Sequence, residues 1–218
     1  MNAPGELHWQ GVQEILRYLH THKDLGLRYF SDADPTKRNV LSGFVDSDWA
    51  ADVNDRKSQT GYVFFLNGAP ISWTSSKQTT PALSTAEAEY MALAAATQEA
   101  LYLRQLLECL GYPQSQATVI GEVNQGCIAL AESTAFSKRT RHIDIRYHFI
   151  RQHIEDGAIR IEYVPTVDQL ADALTKALPR IKHGEFTSGT MAVTVNQPPT
   201  RLPITVLGKR KRSGNAIG

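Results

Sequence analysis

Residues 41–75, LSGFVDSDWAADVNDRKSQTGYVFFLNGAPISWTS, contain three short segments that are rich in aromatic and β-branched side chains. Such residues favour β-strands, because their side chains pack well on a pleated surface. Only Asn67 and Gly68 separate the second segment from the third, and this dipeptide readily adopts the positive φ angles of a tight hairpin turn. The stretch therefore predicts three consecutive strands arranged as a meander. The predicted strands are Leu41–Asp48, Gln59–Leu66 and Ala69–Ser75.

A long helix is predicted after these strands. The tetrapeptide Ser84-Thr85-Ala86-Glu87 has the pattern of a capping box, in which the serine caps the helix and the glutamate reaches back to the cap. The run through Leu107 consists mainly of strong helix formers, and Gly111 ends it. Later strands are separated by helices, which predicts parallel pairing. The remaining predicted elements are a strand over Ala117–Val123, helices over Gln125–Glu132 and Thr140–Glu155, a strand over Ala158–Val164, and a helix capped by Thr166 and Gln169 that ends at Leu178.

This order of elements predicts an α/β fold, with one mixed five-stranded sheet flanked by helices in a domain of residues 39–180. Residues 1–38 form an N-terminal segment, in which a helix with periodic apolar residues precedes a polar linker. Residues 181–218 contain eight Gly or Pro and no sustained period, so we expect an irregular tail. The tail has six basic residues and one acid, whereas residues 1–180 have 17 basic and 21 acidic residues.

Composition narrows the class of protein. The hydrophobic fraction of 42% and the charged fraction of 21% are typical of globular proteins and exclude a wholly disordered or fibrous chain. No apolar run approaches the ~18 residues of a membrane span, and the first ten residues do not have the pattern of a secretory signal. Two cysteines form neither a disulfide framework nor a zinc site. We therefore expect an intracellular protein without a membrane partner.

Acidic residues near the ends of predicted elements are candidates for a metal site. Asp46 lies near the end of the first strand, Glu89 in the first turns of the long helix and Asp172 in the last helix. Carboxylates that converge repel one another unless a cation binds, and oxygen ligands favour Mg²⁺ or Mn²⁺ over Zn²⁺. Ordinary solvent-exposed acids also fit this spacing, and from spacing alone they are the commoner case.

Five motifs, in order along the chain, are similar to those of a known family. They are FVDSDWA (44–50), DRKSQTGYVFFLNGAPISW (55–73), STAEAEYMAL (84–93), RTRHIDIRYHFIR (139–151) and YVPTVDQLADALTKAL (163–178). Together they closely resemble the ribonuclease H domain of copia-type retrotransposon Pol polyproteins. HWQGVQEILRYL (8–19) and DLGLRYF (24–30) resemble the stretch that joins the reverse transcriptase to this domain. The resemblance includes no reverse transcriptase, protease or integrase.

The resemblance implies a ribonuclease H-like fold and an enzyme that cleaves the RNA strand of RNA–DNA hybrids with two Mg²⁺ ions, or with Mn²⁺. The fold agrees with the predicted order of elements. In this family four carboxylates hold the metal ions. Motif by motif, Asp46 matches the first ligand, which bridges the two ions, Glu89 matches the helical ligand and Asp172 matches the last. The resemblance thus implies catalytic and metal-binding roles for these three acids.

The third ligand position of the family is not matched. The family has an aspartate directly before Asn-Gln, whereas this chain reads GEVNQGCIAL and has Val123 there. Valine offers no lone pair to a metal ion, and the loss of even an indirect metal partner typically costs ~10–100-fold in affinity or activity. Glu122 is adjacent, but neighbouring strand residues point to opposite faces, so we expect that it does not replace the ligand. The prediction is an inactive or weakly active ribonuclease.

The fourth motif predicts a contact with nucleic acid. Arg139, Arg141, His142 and Arg146 lie on a predicted helix or at its start, where they could bind the phosphates or 2′-hydroxyls of a hybrid. A charged, solvated helix face is an alternative, and the spacing of the nearby histidines does not fit a zinc site. The tail ends in a basic cluster that is consistent with a nuclear localisation signal, a nucleic-acid tether or a solvated end. This basic cluster consists of Lys209, Arg210, Lys211 and Arg212.

Two further functions are consistent with the chain. One is a non-catalytic, nucleic-acid-binding remnant, which is nuclear if the basic cluster acts as a signal. The other is an integrase-type nuclease of the same fold. The integrase arrangement fits less well, because it needs its glutamate on a late helix, whereas Glu89 lies on the first long helix of the domain.

Overall fold

One mixed sheet forms the centre of the molecule. The computed structural model describes residues 4–27, 29, 34, 38–133 and 144–190. The strands are β1 (Ser42–Asp48), β2 (Gln59–Leu66), β3 (Ala69–Lys77), β4 (Thr118–Glu122) and β5 (Ile159–Tyr163). Their order in the sheet is β3-β2-β1-β4-β5. β2 is antiparallel to β1 and β3, whereas β4 is parallel to β1 and β5. The predicted ribonuclease H-like sheet is therefore confirmed.

Helices cover both faces of this sheet. They are α1 (Glu6–Thr21), α2 (Thr85–Cys109), α3 (Gln125–Glu132), α4 (Asp144–Glu155), α5 (Asp172–Thr175) and α6 (Arg180–Thr190). Helix α2 buries Tyr90 and Leu93 in the main core, whereas none of the residues of α1 is buried by the described part of the chain. Among the described residues, no helix has both the length and the apolar character needed to cross a membrane.

Local sequence signals account for the main turn and the main helix cap. Asn67 and Gly68 have φ angles of 51° and 81°, which confirms the predicted hairpin turn. Ser84 Oγ accepts a hydrogen bond from the Glu87 N–H, as the capping pattern predicts. The Glu87 carboxylate, however, accepts from the Leu83 N–H at 2.8 Å and thus reaches one residue beyond the cap.

The two faces of the sheet carry separate cores. Val45 belongs to the main core under α2, whereas its neighbour Phe44 packs in a smaller cluster beside α5. Because successive strand residues point to opposite faces, Asp46 lies on the α5 side and Ser47 on the α2 side. The end of β1 therefore presents side chains toward both helices.

Two predictions about the C-terminal part are wrong. Instead of one helix, the chain forms a 3-10 turn at Thr166–Asp168 and then the four-residue helix α5. Gln169 does not cap a helix, because its backbone is extended and its buried side chain bonds to the sheet. Residues 180–190 form α6, although an irregular tail is expected from residue 181. The expectation of an irregular tail rests partly on its Pro residues, and the first of these, Pro198, lies beyond α6.

Gly61 lies where β2 contacts α5, directly across from Asp46 in the sheet. A Cβ atom at this position would lie 2.7 Å from Thr175 Cγ2 and 2.9 Å from Leu174 Cβ. Gly61→Ala is therefore expected to push α5 away and to lower the free energy of unfolding by about 1–3 kcal/mol. Urea unfolding measures this change. Gly11→Ala on the exposed helix α1 is the control, and equal stabilities of the two variants would contradict the expectation.

Candidate metal centre

Three acids from different elements meet at the C-terminal end of β1. Asp46 lies near the end of β1, Glu89 in the second turn of α2, and Asp172 at the start of α5. Their exposed fractions are only 0%, 6% and 2%, respectively. The fold thus brings together the three acids that the motifs single out, although the first and the last are far apart in the chain.

Contacts made by α5 and the residues after it define the approach of Asp46 to Asp172. The Thr175 hydroxyl donates a hydrogen bond to Asp46 Oδ2. Lys176 Nζ lies 3.2 Å from Asp46 Oδ2 and 3.1 Å from Asp172 Oδ1, so one ammonium group bridges the two carboxylates. Lys182 Nζ, from α6, lies 2.5 Å from Asp172 Oδ2. The two lysines supply the positive charge that buried carboxylates require.

The carboxylates are not gathered around a common point in this conformation. Among the residues that the structure describes, no three His, Cys, Asp or Glu side chains are close enough to hold one metal ion. The donors are nevertheless hard oxygen atoms, which are the ligands that Mg²⁺ and Mn²⁺ prefer. The donor atoms match the preference of these ions, whereas in this conformation the carboxylates of Asp46 and Asp172 are paired with the ammonium groups of Lys176 and Lys182.

Val123 directly follows β4, the strand that lies beside β1 in the sheet. The last pair between these parallel strands joins Phe44 to Gly121, and Val123 follows two residues later, in a bend. Val123 is half-buried and presents only methyl groups. The corner where the resemblance leads us to expect an aspartate is therefore apolar.

Glu122 points to the opposite side of the sheet from Asp46, between the sheet and α2, and is fully buried. Its Oε1 accepts a hydrogen bond from the Asn124 N–H at 2.8 Å. Its Oε2 accepts none from any described residue, and the same holds for Oε2 of Glu89. The direction of Glu122 agrees with the alternation predicted for the strand. The sequence did not reveal that Glu89, which lies on α2, approaches the site from this same side of the sheet.

Gln169 connects the loop before α5 to the centre of the sheet. Its buried side-chain amide donates to the carbonyl oxygen of Val45 at 2.9 Å and to that of Gly121 at 3.5 Å. Its Oε1 accepts from the Ala171 N–H. The side chain thus fixes the start of α5, and with it Asp172, against β1 and β4.

Burial raises the pKa values of the acids in this site. It raises the pKa of Asp46, although the Thr175 hydroxyl and Lys176 oppose the shift. Burial and the negative charge of Asp46 raise the pKa of Glu89 to about 8. Burial and the charge of Glu89 raise the pKa of Glu122 well above its usual range. The acids therefore compete for protons unless a cation binds them.

Without metal ions, the domain is expected to lose stability as the pH rises from about 5 to about 8. Because the pKa values of Asp46, Glu89 and Glu122 are raised, the native state binds more protons than the unfolded chain in this range, and ionisation favours unfolding. The hydrogen bond from Lys77 lowers the pKa of Asp52 to about 2. Ionisation of Asp52 therefore makes stability rise with pH, but only below about pH 4. Urea unfolding in EDTA at several pH values measures the loss, and constant or rising stability would contradict it.

The residues predicted to contact nucleic acid are only partly within the described chain. Arg146 lies half-buried on α4, whereas Arg139, Arg141 and His142 lie outside the described residues, as does the basic cluster of residues 209–212.

A polar cleft that the sequence did not predict opens beside the acids. Its lining residues include Lys57, Gln59, Ser75, Lys77 and Lys176. Lys57, Gln59 and Lys176 belong to two different motifs, and Ser75 and Lys77 lie outside the motifs, so no single stretch of sequence indicates the cleft.

Several known proteins with similar sequences are retrotransposon polyproteins. The chain is 40% identical over 182 residues to the "Retrovirus-related Pol polyprotein from transposon TNT 1-94" of Nicotiana tabacum, which covers 84% of this chain. It is also 40% identical over 190 residues to the "Retrovirus-related Pol polyprotein from transposon RE1" of Arabidopsis thaliana, which covers 86% of this chain. The chain spans only 13% of the length of each relative.

Similarity to solved structures is weaker. LC11-RNase H1, isolated from compost, aligns with a TM-score of 0.48 and 15% sequence identity, over 63% of this chain and 93% of that protein. No family model matches the chain.

Proposed function

Because the chain belongs to the copia-type retrotransposon Pol polyproteins and forms a ribonuclease H-like domain of that family, we propose that it cleaves the RNA strand of RNA–DNA hybrids, at a strongly reduced rate. The observation that carries the proposal is that buried Asp46 interacts with both of the other acids, with Asp172 through the shared Lys176 ammonium group and with Glu89 electrostatically. Val123, directly after β4, supports the reduced rate, because it removes one carboxylate from the set that the family uses.

Each acid has a distinct part in the proposed reaction. Asp46, which has contacts on the α5 side and an electrostatic interaction with Glu89 on α2, would be the central carboxylate for the cations. Glu89 and Asp172 would hold them from α2 and α5, once Lys176 and Lys182 no longer pair with the aspartates. Bound Mg²⁺ or Mn²⁺ would activate a water molecule and stabilise the leaving oxygen of the phosphodiester.

Charge explains why the missing aspartate matters. Two divalent ions bring four positive charges, whereas Asp46, Glu89 and Asp172 together bring three negative charges. The free energy of metal binding depends on this balance, because each buried carboxylate repels the others until a cation compensates it. A site with three of four carboxylates is therefore expected to bind metal ions more weakly and to cleave more slowly.

Cleavage of labelled hybrids by the full chain tests the proposal. We expect slow cleavage of the RNA strand in Mg²⁺ or Mn²⁺ and none in EDTA, and no cleavage of a DNA duplex of the same sequence. Asp46→Asn, which removes the charge of the central carboxylate, should abolish the residual activity. Metal-independent cleavage, or cleavage that survives Asp46→Asn, would contradict the proposed site.

A non-catalytic, nucleic-acid-binding function is the second candidate. Two observations favour it: Val123 at the ligand position, and the ion pairs of Lys176 and Lys182, which neutralise the acids without a metal ion. Lys57 and Lys77 in the adjacent cleft carry further positive charge for a phosphate backbone. Tight hybrid binding in EDTA, with no cleavage in Mn²⁺ even at long times, would favour this second function.

A further inference from the structure

We propose that helix α1 is a homodimerisation surface, on which a second copy of this chain packs its own α1 in the antiparallel orientation. Helix α1 contributes no residue to the candidate metal centre, so this inference is independent of the proposed function.

Five apolar residues form a stripe along one face of α1. Four of them follow one another at intervals of three, four and three residues, which is the spacing of the seam of a coiled coil. These four are Trp9, Val12, Leu16 and Leu19, and Ile15 flanks them. Apart from Val12, each side chain of the stripe is 55–60% exposed. Single exposed apolar side chains are common, whereas a contiguous stripe marks an interaction site.

The described part of the chain does not cover this stripe. No residue of α1 is buried among the described residues. Tyr18, which lies outside the stripe, contacts His183 of α6 edge to face, with 5.5 Å between the ring centroids. Helix α1 therefore contacts α6 through a side that leaves the apolar stripe open for a partner.

A second copy of α1 fits the stripe in an antiparallel register. If Trp9 lies opposite Leu19 of the second copy, Val12 lies opposite its Leu16, and the two remaining pairs follow from the two-fold symmetry. All four pairs then lie in one seam. Ile15 lies close to the two-fold axis and meets Ile15 of the second copy beside the seam. The same surface of each copy is thus self-complementary, as a two-fold interface requires.

The charges of α1 are complementary in this orientation as well. Residues 6–14 contain two acids, Glu6 and Glu14, and no Lys or Arg, whereas residues 15–24 contain Arg17 and Lys23 and one acid. Antiparallel pairing therefore places the acidic half of each helix beside the more basic half of the other, and it also opposes the two helix dipoles. Parallel pairing would place Glu6 beside Glu6. Charge thus favours a second copy in the antiparallel orientation.

A membrane surface fits this helix less well. Amphipathic helices that lie on membranes are typically rich in Lys and Arg on the polar face, which attracts anionic lipids. Helix α1 has two Glu and a single Arg between Glu6 and Thr21. Its polar residues therefore suit a protein partner with the opposite charge at each end, which a second α1 provides.

The size of the helix determines the expected strength of the dimer. The 16 residues of α1 form a cylinder about 24 Å long and about 10 Å wide, so a side-by-side pair buries on the order of 1,000 Å² in total. This area lies at the lower end of specific interfaces. We therefore expect a reversible dimer with a dissociation constant on the order of 100 µM.

Sedimentation velocity of the full chain, from about 1 µM to about 500 µM, measures this equilibrium. The unmodified chain should shift from monomer to dimer over this range. Leu16→Glu should dimerise at least about 30-fold more weakly, because both Leu16 side chains of the dimer are lost and two charges enter the seam. Gln10→Glu adds the same charge at an exposed position outside the stripe and is the matched control, which should dimerise as the unmodified chain does. Circular dichroism at low concentration verifies that each variant is folded.

Cysteine crosslinking tests the orientation. Cys109 is exposed and is first replaced by serine, whereas Cys127 is buried. In this background Ile15→Cys should crosslink to itself with a short bismaleimide, because the two residues meet near the axis. Trp9→Cys should not, because the two copies of this position lie at opposite ends of the pair. Crosslinking of Trp9→Cys to itself would show parallel pairing and overturn the proposal.

Two further results would overturn the proposal. A chain that stays monomeric over the whole range has its stripe covered by another segment of the same chain or by a lipid surface, and binding to phosphatidylserine vesicles identifies the latter. If Leu16→Glu dimerises as tightly as the unmodified chain, a surface other than α1 forms the dimer.

Discussion

Val123→Asp is expected to raise the rate of magnesium-dependent hybrid cleavage by about 10–100-fold. The substitution places a carboxylate directly after β4, the strand beside β1, where the chain now has an apolar side chain. The added negative charge strengthens metal binding and supplies an oxygen ligand at the family's third position. Val123 is half-buried, so the aspartate can enter without filling a closed core. Single-turnover cleavage of a labelled hybrid measures the rate.

The control for this gain is Val123→Asn, which has nearly the same shape as aspartate but no charge. We expect it to remain close to the unmodified chain, because a neutral amide compensates little of the charge of two divalent ions. Equal rates for Val123→Asp and Val123→Asn would contradict an electrostatic origin of the defect. Robust cleavage by the unmodified chain would show that position 123 does not limit the reaction.

Glu89→Gln is expected to change activity and stability in opposite directions. It should lower any cleavage at least about 100-fold, since it removes a direct metal ligand. In EDTA at about pH 8 it should raise the free energy of unfolding by about 1–3 kcal/mol, because glutamine removes a buried charge that is repelled by Asp46. The raised pKa of Glu89, about 8, is the basis of the stability gain.

Glu108→Gln tests whether this opposition is specific to the site. Glu108 lies on the same helix α2 but is exposed, so its replacement should leave both cleavage and stability unchanged. Urea unfolding in EDTA and cleavage in Mg²⁺ are measured on the same preparations. A Glu89→Gln variant that is less stable than the unmodified chain in EDTA would indicate that Glu89 supports the fold rather than the binding of a cation.

Elements with strong local signals could be predicted from the sequence. Strand β2 and helix α3 have the predicted bounds, because an Asn-Gly turn defines the end of one and Asn124 caps the other. The alternation of strands and helices predicted one mixed five-stranded sheet, but not the order of the strands within it. The last part of the domain was mispredicted, since the buried amide of Gln169 bonds to carbonyl groups of β1 and β4 that are distant in the chain.

The site could be predicted only in part, for a similar reason. The motifs indicate Asp46, Glu89 and Asp172, but no local pattern reveals that Lys176 also contacts Asp46, 130 residues away. Strand alternation gave the direction of Glu122 correctly. The sequence does not reveal that α2 brings Glu89 to the same side of the sheet as Glu122, because this placement is a property of the tertiary structure.

The central claim is that Asp46, Glu89 and Asp172 form one binding site for divalent cations. The most direct test is a crystal structure of the chain grown in Mn²⁺, with anomalous scattering recorded to locate the metal. We predict anomalous density in contact with the carboxylates of all three acids, and Lys176 withdrawn from Asp46. Absence of anomalous density at the end of β1, with the ion pair between Lys176 and Asp46 still in place, would contradict the claim.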